Sequence, residues 1–187
     1  MSRLKFPRVC TARLRQAGLS FIEALAALAV LSIALGAALP SLGKALERRH
    51  LEGASAQLGT DLRHARSLAV ARRTGVRLSV QAAQGESCYV LHLGAEGECT
   101  CTGAGTASCT GQGTALRAVG FPAGHKVQVA ANSRSMLFHP DRGTVTPTGT
   151  IRLQGNSGAS IQLVVNVMGR VRSCSPKGIV AGLPACS

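Results

Sequence analysis

The chain has 187 residues, with 21 Lys and Arg against 8 Asp and Glu, a formal net charge of +13, no Trp, one Tyr and four Phe. That length holds one ordinary domain plus a membrane segment and excludes two sizeable cores, so a single core built mainly from Val, Leu, Ile and Ala is expected. Five of the cations (Arg3, Lys5, Arg8, Arg13 and Arg15) precede Leu19; 21 less these five leaves 16 basic against 8 acidic residues, a surplus that favours polyanions such as nucleic acid, anionic lipid or acidic polysaccharide.

The first element is apolar. From Leu19 to Gly43 the only charged residue is Glu23, and about 20 apolar residues cross a bilayer. A lone carboxylate in hydrocarbon costs on the order of 3 kcal/mol by insertion scales, so Glu23 needs a partner. A basic leader followed by an apolar run has the outline of a secretory signal peptide. Here the run is too long for a signal core, and Leu39-Pro40-Ser41 is a poor cleavage site. Cleavage at Gly18 instead would leave the apolar segment as the new N-terminus and keep the anchor.

Gly18-Leu19-Ser20-Phe21-Ile22-Glu23, behind a basic leader and ahead of Pro40, resembles the type IV prepilin motif. The resemblance implies that residues 1–18 are a leader removed after Gly18 by a prepilin peptidase, and that Leu19, where the family more often has Phe, is N-methylated. It further implies a single pass through the inner membrane over residues 19–43, a periplasmic C-terminal domain, and later export to a pilus on the cell surface. Glu23 would then pair with the methylated amine of a neighbouring pilin subunit, since two opposite charges together make tolerable a burial that either alone would not.

After Gly43 apolar residues recur at three- and four-residue steps, Leu46, Leu51, Ala54, Leu58, Leu62, Ala65 and Leu68 or Ala69, which predicts an amphipathic helix over residues 44–74. Pro40 is expected to kink the helix rather than end it. The opposite face carries Arg48, Arg49, Arg63, Arg66, Arg72 and Arg73. Gly75 is the expected left-handed residue after the helix.

From residue 75 to 187 the helical period disappears, and short β-rich segments alternate with Gly, Pro, Asn and Ser turns. Strands are expected over 76–82, 87–93, 116–119, 126–130, 135–138, 144–146, 150–153, 160–166 and 171–173, forming antiparallel sheet. Between the second and third lies GAEGECTCTGAGTASCTGQGT, which has no periodicity and reads as a loop. Apart from Cys10, the cysteines are even in number and lie beyond the apolar segment: Cys88, Cys99, Cys101 and Cys109, then Cys174 and Cys186. This pattern points to disulfides in an oxidising compartment, with pairing within the first four and between the last two favoured. Zinc is the competing reading of Cys88, Cys99, Cys101 and Cys109, but the usual C-x2-C pairs and a nearby histidine are missing. No metal or cofactor is expected.

LRHARSLAVARRTGVRLSV at 62–80, FHPDRGTVTPTGTIRL, and IQLVVNVMGRVRSCSP near the C-terminus resemble the FimT and GspH branch of minor pilins. The resemblance implies an α+β fold, a long N-terminal helix packed on an antiparallel β domain. Within it, Gly169 permits a tight turn, and if Val171 points inward, alternation sends Arg170 and Arg172 to one outward side. Guanidinium groups grip phosphate oxygens bidentately. In FimT-like pilins this Gly-Arg-x-Arg segment is associated with binding double-stranded DNA for natural transformation, a role carried here onto Arg170, Arg172 and Lys177. The alternative is a structural minor pilin or a GspH-like pseudopilin that primes filament assembly without binding DNA. No nucleophile elbow, phosphate-cradling glycine loop or histidine cluster is present in the sequence, so an enzyme is not expected; His50, His64, His92, His125 and His139 are dispersed.

Overall fold

A computed structural model of the chain describes residues 20–178 and 180–186, which divide into two units between Ser41 and Leu42. One helix, α1 (Phe21–Arg72), enters both. In the first unit it begins where the Ala24 N–H donates to the Ser20 carbonyl at 3.1 Å. Its apolar window has a mean hydropathy of 2.2 and is long enough to cross a membrane. Phe21, Ile22, Leu25 and Leu28 are exposed on it, as is Glu23. Gly18 and Leu19 lie outside the described residues.

In the second unit α1 buries Leu51, Leu58, Leu62, Ala65 and Ala69 completely, the spacing that one face of a 3.6-residue helix requires. Leu46, which the periodicity assigned to this stripe, is exposed instead. At that end the helix meets loop backbone through Glu47, whose carboxylate accepts from Ser157 N–H at 2.8 Å and Ser157 Oγ at 2.7 Å. The helix closes with paired bonds, Thr74 N–H to Ala69 O at 3.2 Å and Arg73 N–H to Val70 O at 3.4 Å. This is the two-bond pattern of a Schellman cap, and the left-handed position falls on Arg73, φ 51°, not on Gly75. Gly75 serves a close approach: a Cβ there would lie 3.0 Å from Leu137 Cδ1.

Eleven strands follow among the described residues: β1 (Val76–Ala83), β2 (Glu86–Leu93), β3 (Cys99–Cys101), β4 (Ala107–Cys109), β5 (Thr114–Phe121), β6 (Val127–Ala131), β7 (Ser135–Phe138), β8 (Val145–Thr146), β9 (Gly149–Gly155), β10 (Ser160–Val165) and β11 (Val171–Cys174). They make two antiparallel sheets, in the orders β5-β2-β1-β7-β8 and β11-β10-β9-β6, and a ribbon β3-β4. Alternate residues Leu78 and Val80 of β1, Ile151 and Leu153 of β9, and Ile161, Leu163 and Val165 of β10 join the helix stripe in one core.

The cysteine-rich segment is not the aperiodic loop the sequence suggested. Its middle pairs as the β3-β4 ribbon, with Cys99 opposite Cys109, and Cys88–Cys101 ties the ribbon to β2. β2 is consequently buried at every position from Ser87 to His92, because one face meets the core and the ribbon covers the other.

Two polar groups are sealed into this framework. Asp61, in mid-helix, accepts from the Tyr89 hydroxyl at 2.8 Å and is ion-paired with Arg117, whose Nε lies 2.9 Å away, joining α1 to β2 and β5. Burial, then the Asp61 carboxylate, pushes the Tyr89 pKa well above the usual tyrosine range. His92 is fully buried, with Nδ1 3.1 Å from the Leu93 carbonyl and Nε2 2.9 Å from Ser79 Oγ. A carbonyl only accepts, so the proton sits on Nδ1 and the Ser79 hydroxyl donates to Nε2. Burial holds the His92 pKa below its usual 6.5.

Two outcomes are expected. Tyr89→Phe removes a bond to a buried charge and lowers the unfolding free energy by about 2 kcal/mol in urea titrations. His92, favoured neutral in the fold, contributes stability that is present above pH 6.5 and lost as pH falls below it. Unfolding midpoints measured from pH 7.5 down to about pH 5 should fall, and His92→Gln should flatten that dependence.

Candidate nucleic-acid interface

Two of the expected phosphate-binding residues, Arg170 and Arg172, sit on the hairpin of β10 and β11. Val165 pairs with Val171, and the turn is closed by Gly169 N–H to Asn166 O at 2.8 Å, Asn166 N–H to Arg170 O at 3.2 Å, and Arg170 N–H to Asn166 Oδ1 at 2.9 Å. Asparagine serves here because its side chain caps a backbone donor within its own turn. Gly169 has φ 68°, and a Cβ there would fall 2.6 Å from the Gly143 carbonyl oxygen. Glycine is therefore needed for both conformation and space.

Val171 packs against the core. Arg170 and Arg172 on either side of it are exposed, and Arg172 stands opposite Val164, which is also exposed. In the neighbouring row of the same sheet face, Arg152 donates to the Gln162 amide oxygen at 2.9 and 3.2 Å with that amide turned toward it. A neutral partner leaves the arginine's charge uncompensated. Among the described residues the ion pairs are Arg48–Glu52, Arg77–Glu96 and Arg117–Asp61; none involves Arg152, Arg170 or Arg172. The hairpin face therefore carries charge that no carboxylate offsets at close range.

Cys174 is bonded to Cys186, and the tail between them folds back on Ser175 at the end of β11 and on Arg48 of α1. Ser175 N–H donates to Pro184 O at 2.9 Å and Cys186 N–H to Ser175 O at 3.3 Å, while Val180 is buried in the core. Lys177 lies in the short 3-10 turn Pro176–Gly178 inside this loop; its side chain lies outside what the structure describes. The other thiols form Cys88–Cys101 and Cys99–Cys109, leaving none of the four free for a metal. Among the described residues no cluster of three or more His, Cys, Asp or Glu could hold one.

Sequence reasoning missed the Asp61, Tyr89 and Arg117 junction. Its signal was an aspartate inside the apolar stripe of a helix, in a chain with a single tyrosine.

The family model described as Type II transport protein GspH matches residues 54–169, and that described as prokaryotic N-terminal methylation motif matches residues 13–39. No curated protein sequence matches the chain. Among solved structures, the type IV minor pilin FimU of Pseudomonas aeruginosa is similar in fold, with a TM-score of 0.52 at 21% identity over 70% of this chain and 96% of that one. The minor pseudopilin EpsH of the type 2 secretion system of Vibrio cholerae superimposes with a TM-score of 0.47 at 9% identity, over 67% of this chain and 97% of that one. The long helix packed on antiparallel sheets is thus the type IV pilin fold.

The Cys174–Cys186 bridge closes a loop spanning 12 positions, for which chain entropy predicts about 3 kcal/mol of stabilisation. Replacing both cysteines with serine should raise amide exchange selectively across residues 171–186, with β1 and β2 remaining protected.

Proposed function

Because this chain belongs to the GspH family and carries the N-terminal methylation motif ahead of a type IV pilin fold, we propose that it is a minor type IV pilin that binds double-stranded DNA for uptake in natural transformation. The observation that carries this reading is the pair of exposed arginines, Arg170 and Arg172, on a hairpin closed by its own turn bonds and followed directly by a disulfide-closed tail. Phosphate contacts of this kind hold a duplex without reading its sequence, so binding is non-specific and sensitive to salt. Lys177, within the closed loop, adds a third cation.

The same reading includes the first unit. Prepilin peptidase cleaves after Gly18, Leu19 becomes the methylated N-terminus, and residues 19–43 anchor the chain in the inner membrane. On assembly Glu23 meets the amine of a neighbouring subunit, and the periplasmic domain of residues 75–187, carried by the helix of residues 44–74, reaches the pilus. A second reading is favoured by the description of the matching family as a type II transport protein: a pseudopilin or structural minor pilin that primes filament assembly and has no affinity for DNA.

The two separate in a titration of a fluorescent duplex with the full chain, oxidised and held in non-ionic detergent micelles. Under the DNA reading the wild type binds at low salt, and Arg170→Gln with Arg172→Gln makes the salt slope shallower by about 1.8, from two phosphate contacts at about 0.9 each. No binding at low salt leaves the assembly role as the better account.

A further inference from the structure

A second arginine-bearing turn lies against the hairpin. β7 and β8 are joined through residues 139–144, closed by Gly143 N–H to His139 O at 3.0 Å and His139 N–H to Thr144 O at 2.8 Å. Asp141 and Arg142 are exposed at its tip while Gly143 is buried. The hairpin turn repeats the arrangement, with Gly169 buried and Arg170 exposed.

The two turns are fastened to each other. Val145 N–H donates to Val167 O at 2.9 Å, and Arg66 reaches across from α1 so that its Nε donates to Gly143 O at 3.2 Å. Gly143 and Gly169 both have left-handed φ, 65° and 68°. A Cβ on Gly143 would lie 2.9 Å from Arg66 Cγ, and one on Gly169 would lie 2.9 Å from Arg66 Cδ. Both glycines pack closely on the Arg66 stem, which ties the backbone beside Arg142 to the backbone beside Arg170.

The charges sort in the same direction. Beyond Glu98 the sequence has one acidic residue, Asp141, against eight basic ones. Arg66 and Arg142 form no ion pair among the described residues. Resting on the DNA reading above, we infer that the phosphate-binding surface is built from two turns rather than one: Arg142 contacts the backbone of the same duplex as Arg170 and Arg172, Arg66 is the positioning residue that locks the turns together, and Asp141 weakens the contact. The occupant this surface fits is a stiff polyanion spanning both turns. A single phosphate group would need only one of them.

The test is a duplex titration over a salt series with the full chain in non-ionic detergent micelles, for the wild type, Arg142→Gln, Asp141→Asn, Arg66→Gln and Arg134→Gln. Arg134 is exposed and lines a separate cleft with Ser79 and Glu96, so it controls for net charge. Arg142→Gln should bind several-fold more weakly with a slope shallower by about 0.9, and Asp141→Asn should bind more tightly. Arg66→Gln, assayed well below its melting temperature, should bind more weakly at the wild-type slope, because it moves contacts without removing one. Arg134→Gln should keep the wild-type slope. A wild-type slope in Arg142→Gln, or an equal loss in Arg134→Gln, overturns the two-turn surface while the hairpin reading stands. Unchanged affinity in Asp141→Asn or Arg66→Gln overturns the role given to that residue. A wild type that does not bind at low salt overturns both readings together.

Discussion

The second unit depends on one stripe of α1. Among the described residues, Leu51, Leu58, Leu62, Ala65 and Ala69 are the side chains of the helix that are both apolar and fully buried, and both sheets contribute inward rows to the same core. Each buried leucine is worth roughly 2 kcal/mol, and with few aromatic residues the core has no larger contributors than Tyr89 and Phe138. Two alanines in the stripe let the backbone of the helix come close to the sheets. Three disulfides then act where burial is thin, at the ribbon over β2 and at the C-terminal tail.

The polar contacts of the helix set its placement. Asp61 faces one sheet through Tyr89 and Arg117. Arg66, little more than one turn later, faces the gap between the β7–β8 turn and the β10–β11 hairpin through Gly143. A buried carboxylate stripped of its partners is costly, so Asp61 penalises rotation of the helix about its axis. Since Arg66 rides on the same helix, the alignment that satisfies Asp61 is also the one that holds the two glycine turns together. A structural requirement in the core in this way reaches the proposed binding surface.

Much of the fold was legible because its signals are local. The apolar run, the stripe at helical spacing and the strands β1, β2, β6, β7, β9 and β10 follow from periodicity within a few residues. Arg170 and Arg172 could be placed on one side of a strand because alternation is a local rule once Val171 is assigned inward. The β3-β4 ribbon was not legible: its residues are Gly, Ser, Thr and Cys without alternation, and its pairing comes from cross-links and cover rather than propensity. Likewise the left-handed helix cap fell on Arg73 although Gly75 lies two residues on, because the helix ends one turn before the glycine that local rules favour.

The sequence by itself determined the membrane-length helix with its single carboxylate, the amphipathic continuation, the β-rich remainder, the excess of cations and the family motifs that identify a pilin-like chain. Each of these is written in composition or in spacings of two to four residues. Only the tertiary structure decided how Cys88, Cys99, Cys101 and Cys109 pair, that Asp61 is buried against Tyr89 and Arg117, that His92 is fully buried, and that Arg66, Arg142 and Arg170 converge through Gly143 and Gly169. Those meetings join residues from 10 to about 100 positions apart, and no rule of two- to four-residue spacing constrains them. They are fixed by how helix and sheets pack around one core.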